Sequence, residues 1–185
     1  MALSNRVDTR TVGVGGAAGG GAYLLGYLVV YLTQRGSVAE RFSAFNAVTD
    51  LFGGDPIPAW KGVGWLFYNA HFIPTRFPGI GGSTTRNAIA DADGGSITLL
   101  YLLPPLFLIG AGYAILALSA ADAPAVAGGL VVAGYLPLAI LGIVLFSYPV
   151  GDGAIEPDAV TAVLLAGVVY PVAFGAIGGA LAKRL

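Results

Sequence analysis

His71 is the chain's single histidine and the one side chain whose unperturbed pKa lies near neutrality. With Asn69 and Arg76 close by, it is a candidate sensor or ligand, the ordinary alternative being an interfacial hydrogen bond. One imidazole cannot build a purely histidine-ligated metal site or the paired histidines of a metalloprotease helix. The absence of cysteine removes thiolate ligands, thiol nucleophiles and disulfides together. Asp91-Ala92-Asp93-Gly94 begins like a calcium loop but lacks the later ligands and the closing glutamate, so it reads as a polar turn. The run from Gly79 to Thr85 has enough glycine to cradle a phosphate, yet no lysine follows it and no buried strand precedes it. A flexible loop is the expectation. No nucleophile, base and oxyanion site come together, so the residues predict no catalytic group, no metal and no cofactor, and a protein that is not an enzyme.

Aromatic and helix-breaking residues offer more. Tyr23, Tyr27 and Tyr31 recur at intervals of four and continue a line through Gly15 and Gly19. On a helix this makes one stripe, first small and then phenolic. Such a stripe is either a polar track for a solute or a close helix crossing with tyrosines filling the wider gap, and packing is the favoured reading. Small residues four apart recur at Gly15/Gly19, Gly16/Gly20, Ala125/Gly129 and Gly175/Gly179, a spacing that lets helix backbones approach in lipid. Pro104, Pro105, Pro137 and Pro171 fall within apolar runs, near Tyr101, Tyr135 and Tyr170. Each proline removes a backbone donor and tends to kink its helix. The freed carbonyls could line a mid-membrane cavity as in transporters with broken helices, or the kinks simply let curved helices pack. The candidate contacts for a partner or solute are therefore Tyr23, Tyr27, Tyr31, Trp60, Trp65, His71, Tyr135 and Tyr170.

The elements that carry these residues follow from composition. Hydrophobic residues make up 56% of the 185 and charged residues only 10%, against roughly a quarter charged in ordinary soluble domains. A net charge of -1 leaves no basic patch suited to nucleic acid. Uncharged, mostly apolar runs at about 11–34, 96–121, 123–151 and 159–182 are each long enough to cross a hydrocarbon core of about 30 Å. The first competes with a signal peptide, since Ser37-Val38-Ala39 resembles a cleavage site. The run exceeds the roughly 7–15 apolar residues of a signal core. The last three runs lack any ionisable group, which argues against proton coupling or voltage sensing while leaving a passive or neutral-solute path open.

Arg6 and Arg10 precede the first run, Lys183 and Arg184 follow the last, and the joints 119–124 and 151–158 hold no basic residue. Two basic ends prefer the same side, so the number of spans is even and both termini are cytoplasmic, in the cell membrane. Arg35 and Arg41 make the first helix alone nearly a tie, and the C-terminal pair decides it. Residues 34–95 hold most of the charge and form an extracytoplasmic region. There Ser37-Val38-Ala39-Glu40 reads as a capping box opening an amphipathic helix from Val38 to Phe52, stopped by Gly53-Gly54-Asp55-Pro56. Between Trp60 and Phe72, aromatic rings surround Lys61, Asn69 and His71. Aromatics with polar edges collect at membrane interfaces, so a short interfacial helix, in part re-entrant, is expected over 57–76. A fifth span is the rival, and it would need buried partners for Lys61, Asn69 and His71.

At Gly53–Pro58, Gly64–His71, Tyr135-Leu136-Pro137 and Tyr170-Pro171 the sequence resembles a group of small uncharacterised membrane proteins from haloarchaea, over most of the chain. Some of that group carry a generic transporter label; the resemblance implies a source and a membrane compartment but no binding residue. The resulting expectation is an all-α, four-helix integral membrane bundle forming one domain, with an aromatic, partly helical extracytoplasmic region at 34–95. Its partners are the lipid bilayer and a second copy or another membrane protein. The leading function is a non-enzymatic scaffold or accessory subunit, the alternative a small-solute transporter or channel component, with a membrane-embedded enzyme least supported.

Overall fold

The computed structural model describes residues 8–51, 54–79, 81–92, 94–119 and 121–183. Arg6 and Arg184 of the charge-placement reading, Phe52 and Gly53 at the expected helix stop, Ile80 of the glycine-rich run, Asp93 of the acidic turn and Ala120 of the first joint lie outside the described residues.

Helix α1 (Thr9–Leu51) is capped by Asp8, whose carboxylate accepts from the Thr11 amide at 2.7 Å and from its hydroxyl at 2.5 Å. It runs unbroken for 43 residues, about 65 Å at the α-helical rise. This corrects the expected break at Ser37: the capping-box residues sit inside a continuous helix. Once the upstream turns exist, each further residue adds a backbone bond without a new nucleation cost, and Val38 and Phe42 gain packing against Gly62 of the next helix.

Helix α2 (Ala59–Asn69) leads through a tight turn into strand β1 (Thr75–Gly79), which hairpins to β2 (Gly82–Arg86). Narrow 3-10 turns over Ser96–Leu102 open into α3 (Leu103–Leu118). Then come α4 (Pro124–Gly129), α5 (Val132–Leu145), β3 (Tyr148–Val150), β4 (Gly153–Pro157), α6 (Ala159–Thr161), wide π turns over Ala162–Val169, and α7 (Tyr170–Ala182). The prolines account for these irregularities. Pro104 and Pro105 withhold donors from the carbonyls of Leu100 and Tyr101, and the turns before them tighten. Pro137 leaves the Ala133 carbonyl without its donor inside α5, and Pro171 does the same to Gly167 within the widened stretch.

Four helical stretches are long and apolar enough to cross a membrane: Thr9–Leu51, Ser96–Leu118, Pro124–Leu145 and Ala159–Ala182. Their outward faces stay apolar, with Leu32 63%, Leu106 61%, Val144 71% and Val160 68% exposed. That distribution suits hydrocarbon rather than water. Inside, the helices meet through backbone. A Cβ at Gly15 would lie 2.7 Å from Leu130 Cβ, one at Gly19 2.8 Å from the Val131 carbonyl carbon, and one at Gly178 2.8 Å from that of Ile109. Gly128 meets Gly175 and Gly179 in the same way, so in the α4 contact Gly128 replaces the expected Gly129, whose nearest neighbour is an ordinary 3.7 Å away. α7 lies between α3 and α4, and α1 packs on α2, α3 and α5.

The all-α expectation needs correction. The described residues include a four-stranded antiparallel sheet, in the order β2-β1-β4-β3, at one end of the bundle. The third run ends as helix at Leu145, not at 151, because Tyr148–Val150 pairs with Gly153–Ile155 around a turn in which Gly151 has φ +56°. The glycine-rich run is likewise not a loop throughout: its described residues flank a hairpin, with Gly79 facing Gly82. β1 joins the two hairpins through Thr75↔Pro157 and Arg76↔Glu156. Arg76 fastens the join, reaching Asp158 at 2.9 Å and Glu156 at 4.0 Å. Asp158 also caps α6 through the Thr161 amide at 3.0 Å.

Candidate functional site

The space between α1 and α5 is filled by α2 itself. Its 11 residues span about 16 Å, too short to cross a bilayer. It descends from the sheet end between α1 and α5, reverses at His71–Ile73, and returns as β1. Gly62 through His71 are all buried within the protein. Packing drives this: a Cβ at Gly64 would strike the Phe146 ring, and one at Gly62 would lie 2.7 Å from Val38.

The reversal has a defined chemistry. The Tyr68 carbonyl accepts from the Ile73 amide at 3.1 Å and the Asn69 carbonyl from the Phe72 amide at 2.9 Å, the two bonds of a Schellman helix end. The left-handed position of that motif, normally glycine, is Phe72 at φ +62°. Its ring stacks on Tyr101 with centroids 4.2 Å apart and planes 6° from parallel. Ile73, wholly buried, supplies the apolar contact that accompanies this motif.

The buried polar side chains of α2 and its turn all find partners. The Tyr27 hydroxyl donates to the Trp60 carbonyl at 3.1 Å, the Lys61 ammonium to the Ser147 carbonyl, and the Trp65 indole N–H to the Phe146 carbonyl at 2.7 Å. Tyr68 donates to the Ala139 carbonyl and stands 3.3 Å from the Tyr23 hydroxyl. Asn69 donates to the Ile73 carbonyl at 2.8 Å and accepts from the Ala88 amide at 2.9 Å. His71 Nδ1 lies 2.8 Å from the Phe67 carbonyl, which can only accept, so the proton is on Nδ1. Nε2 then accepts from the Tyr135 hydroxyl at 2.7 Å. One neutral tautomer satisfies both bonds.

The structure thus gathers Tyr23, His71, Tyr135 and Tyr170 around the tip of α2: the Tyr23 and Tyr135 rings meet edge to face at 5.1 Å, and Tyr170 lies 5.2 Å from the imidazole. Tyr27 and Trp60 flank its entrance on the Phe146 ring, at 5.3 and 6.0 Å. Tyr31 stands apart, its ring tilted to Tyr27 and covered by Arg35. Trp65 faces a separate cavity. Sequence reasoning passed over Tyr68, Asn87, Phe146 and Asp158. Asp158 before an apolar run is a recognisable cap signal; nothing in the sequence marks which carbonyl Tyr68 would reach.

The hydroxyls of Tyr23, Tyr68 and Tyr135 are engaged within the protein, and no buried side-chain nitrogen or oxygen among the described residues lacks a hydrogen-bond partner. Open volume lies instead at the sheet end, where a cavity of about 780 Å³ separates the far half of α1 from α2, β1 and the segment leading to α3. Gln34, Arg41 and Phe42 form one wall, Trp65 and Asn69 the floor, and Arg86 and Asp91 the opposite rim. No group of three or more acidic or histidine residues among those described could hold a metal ion, and the His71 imidazole has both nitrogens engaged. What the arrangement can do is fix helices rigidly and present a half-open cavity.

Neither the curated proteins nor the solved structures hold a match to this chain. A family model described as "Family of unknown function (DUF7978)" matches residues 2–185, and the chain belongs to that family.

Proposed function

We propose that this chain is a non-enzymatic scaffold or accessory subunit of a membrane complex, with both termini cytoplasmic in the cell membrane and the sheet end outside. The observation that carries the reading is the closed interior. Helix backbones meet directly at Gly15, Gly19, Gly128 and Gly178, and the space between α1 and α5 is occupied by a short helix whose buried polar groups are internally bonded. A solute path needs polar groups open to it, whereas the hydroxyls of Tyr23, Tyr68 and Tyr135 are turned to partners within the protein. The resemblance to haloarchaeal membrane proteins belongs to the same proposal, as does the partner: a membrane protein, or a second copy, seated at the sheet end.

A pull-down of the tagged chain in mild detergent tests this. One stoichiometric membrane partner is the expected result; a clean homo-oligomer that conducts solute in liposomes would overturn it. A second tag inserted after Gly82 is expected to be reached from outside the cell while the C-terminal tag is not. The alternative, a small-solute transporter component, draws support from the turn after α2, which sets His71 between Tyr135 and Tyr170, from the interruption at Leu130–Val131 before α5, and from the widened turns at Ala162–Val169. Irregular backbone of this kind is tolerated in membranes chiefly where protein covers it or a cavity needs it. Flux assays separate the two.

A further inference from the structure

We propose that the cavity at the sheet end binds the headgroup of an anionic membrane lipid, the phosphate between Arg41 and Arg86 and the first apolar atoms against the aromatic wall. Among the described residues its charged lining is two guanidinium groups and one carboxylate, Asp91. Neither arginine has a carboxylate within 4.0 Å among the described residues, so both keep donors for an anion. Arginine's planar fork suits a phosphate better than a point charge does. Val38, Phe42, Phe77 and Ile97 supply apolar wall, beside the neutral polar side chains of Gln34, Ser37, Asn69, Thr75 and Ser96. A volume of about 780 Å³ falls within the range of about 300–1,000 Å³ typical of small-molecule sites.

The position argues for lipid over a free solute. Gln34 and Ile97 border the cavity, and two residues from each stand Leu32, 63% exposed, and Leu99, 61% exposed. Apolar lateral surface therefore reaches the edge of the cavity on both α1 and the start of the second apolar stretch. This is the level at which a lipid phosphate meets the end of its hydrocarbon. The inference shares with the functional reading only the membrane placement of the bundle. It is read on the isolated chain, so absence of a protein partner would leave it standing.

The test is native mass spectrometry of the delipidated full chain in mild detergent, titrated separately with dioleoyl phosphatidylglycerol, dioleoyl phosphatidylcholine and inorganic phosphate. One phosphatidylglycerol per chain is expected, bound about tenfold or more tightly than phosphatidylcholine, the factor that one charge-assisted contact supplies. The double variant Arg41→Gln/Arg86→Gln should lose that preference, and Arg35→Gln, which lies over Tyr31 outside the cavity, should keep it. Ser37→Trp, which fills the cavity from an exposed lining position, should lose binding with both arginines present. A preference for phosphatidylglycerol that survives both the double variant and Ser37→Trp would overturn the proposal. So would displacement of the lipid by millimolar inorganic phosphate alone, which would make this a small-anion site.

Discussion

Replacing Gly19 with alanine should destabilise the protein, while the same change two residues along at Gly21 should not. Both glycines lie within α1, and alanine gains about 1 kcal/mol over glycine in a helix interior. The new methyl at Gly21 meets no atom within 4 Å, so that gain stands alone. At Gly19 the methyl would overlap the Val131 carbonyl oxygen and lie 3.1 Å from the Tyr135 amide nitrogen. These are backbone atoms, which cannot rotate away, so α1 and α5 must separate. Overpacking of this kind costs about 1–3 kcal/mol, and a rigid backbone neighbour places Gly19 toward the upper end. The two variants should therefore differ by about 2–3 kcal/mol, or on the order of 5–10 °C in Tm for a chain of this size. Thermal unfolding in mild detergent, followed through Trp60 and Trp65 fluorescence, gives the order directly. Equal midpoints, or Gly19→Ala the more stable of the pair, would refute the backbone-to-backbone crossing and with it the closed interior.

Two further outcomes follow from the turn and the cap. Phe72→Ala loses the Tyr101 stack while keeping a side chain at φ +62°; Phe72→Gly loses the same stack but relieves a left-handed strain of about 1–2 kcal/mol, so the glycine variant should melt higher than the alanine variant. Asp158 is held below its usual carboxylate pKa by the hydroxyl and amide of Thr161 and then by Arg76. Its folded pKa is depressed, so its stabilisation is present above the unfolded value near 4 and is lost as pH falls through the folded value. Asp158→Asn, which can still accept from Thr161, should flatten that acid dependence and cost up to about 1 kcal/mol at neutral pH, given a partly exposed ion pair. Asp158→Ala should cost about 1 kcal/mol more by removing the cap. Denaturation midpoints between pH 3 and 7, on the order of the unfolded pKa, check both; an unchanged acid limb in Asp158→Asn would show that the carboxylate is not linked to stability.

Four stretches long and apolar enough for a bilayer were legible in residue type alone, because hydrocarbon imposes a length and a near absence of charge that composition reveals directly. The small-residue spacing likewise pointed to Gly15, Gly19, Gly175 and Gly179. What sequence could not settle was each relation fixed by a distant segment. Tyr148–Val150 reads as the end of an apolar helix, and becomes a strand only because Gly153–Pro157 offers it donors and acceptors and β1 continues the sheet. Phe72 occupies a position where glycine is the usual sign of a helix end, so the reversal of α2 left no local mark.

The aromatic segment from Trp60 to Phe72 shows the same division. Its composition alone fits a membrane interface as well as an interior, since rings with polar edges serve in both. The choice rests on whether the Lys61, Asn69 and His71 polar groups find partners, and those partners are the Ser147 carbonyl, the Ala88 amide and the Tyr135 hydroxyl, far along the chain. Sequence determined that this protein carries apolar helices and which of their faces are small; tertiary contact decided that a fifth, shorter helix plugs them, because a buried polar group is tolerable only where another part of the fold supplies its hydrogen bond.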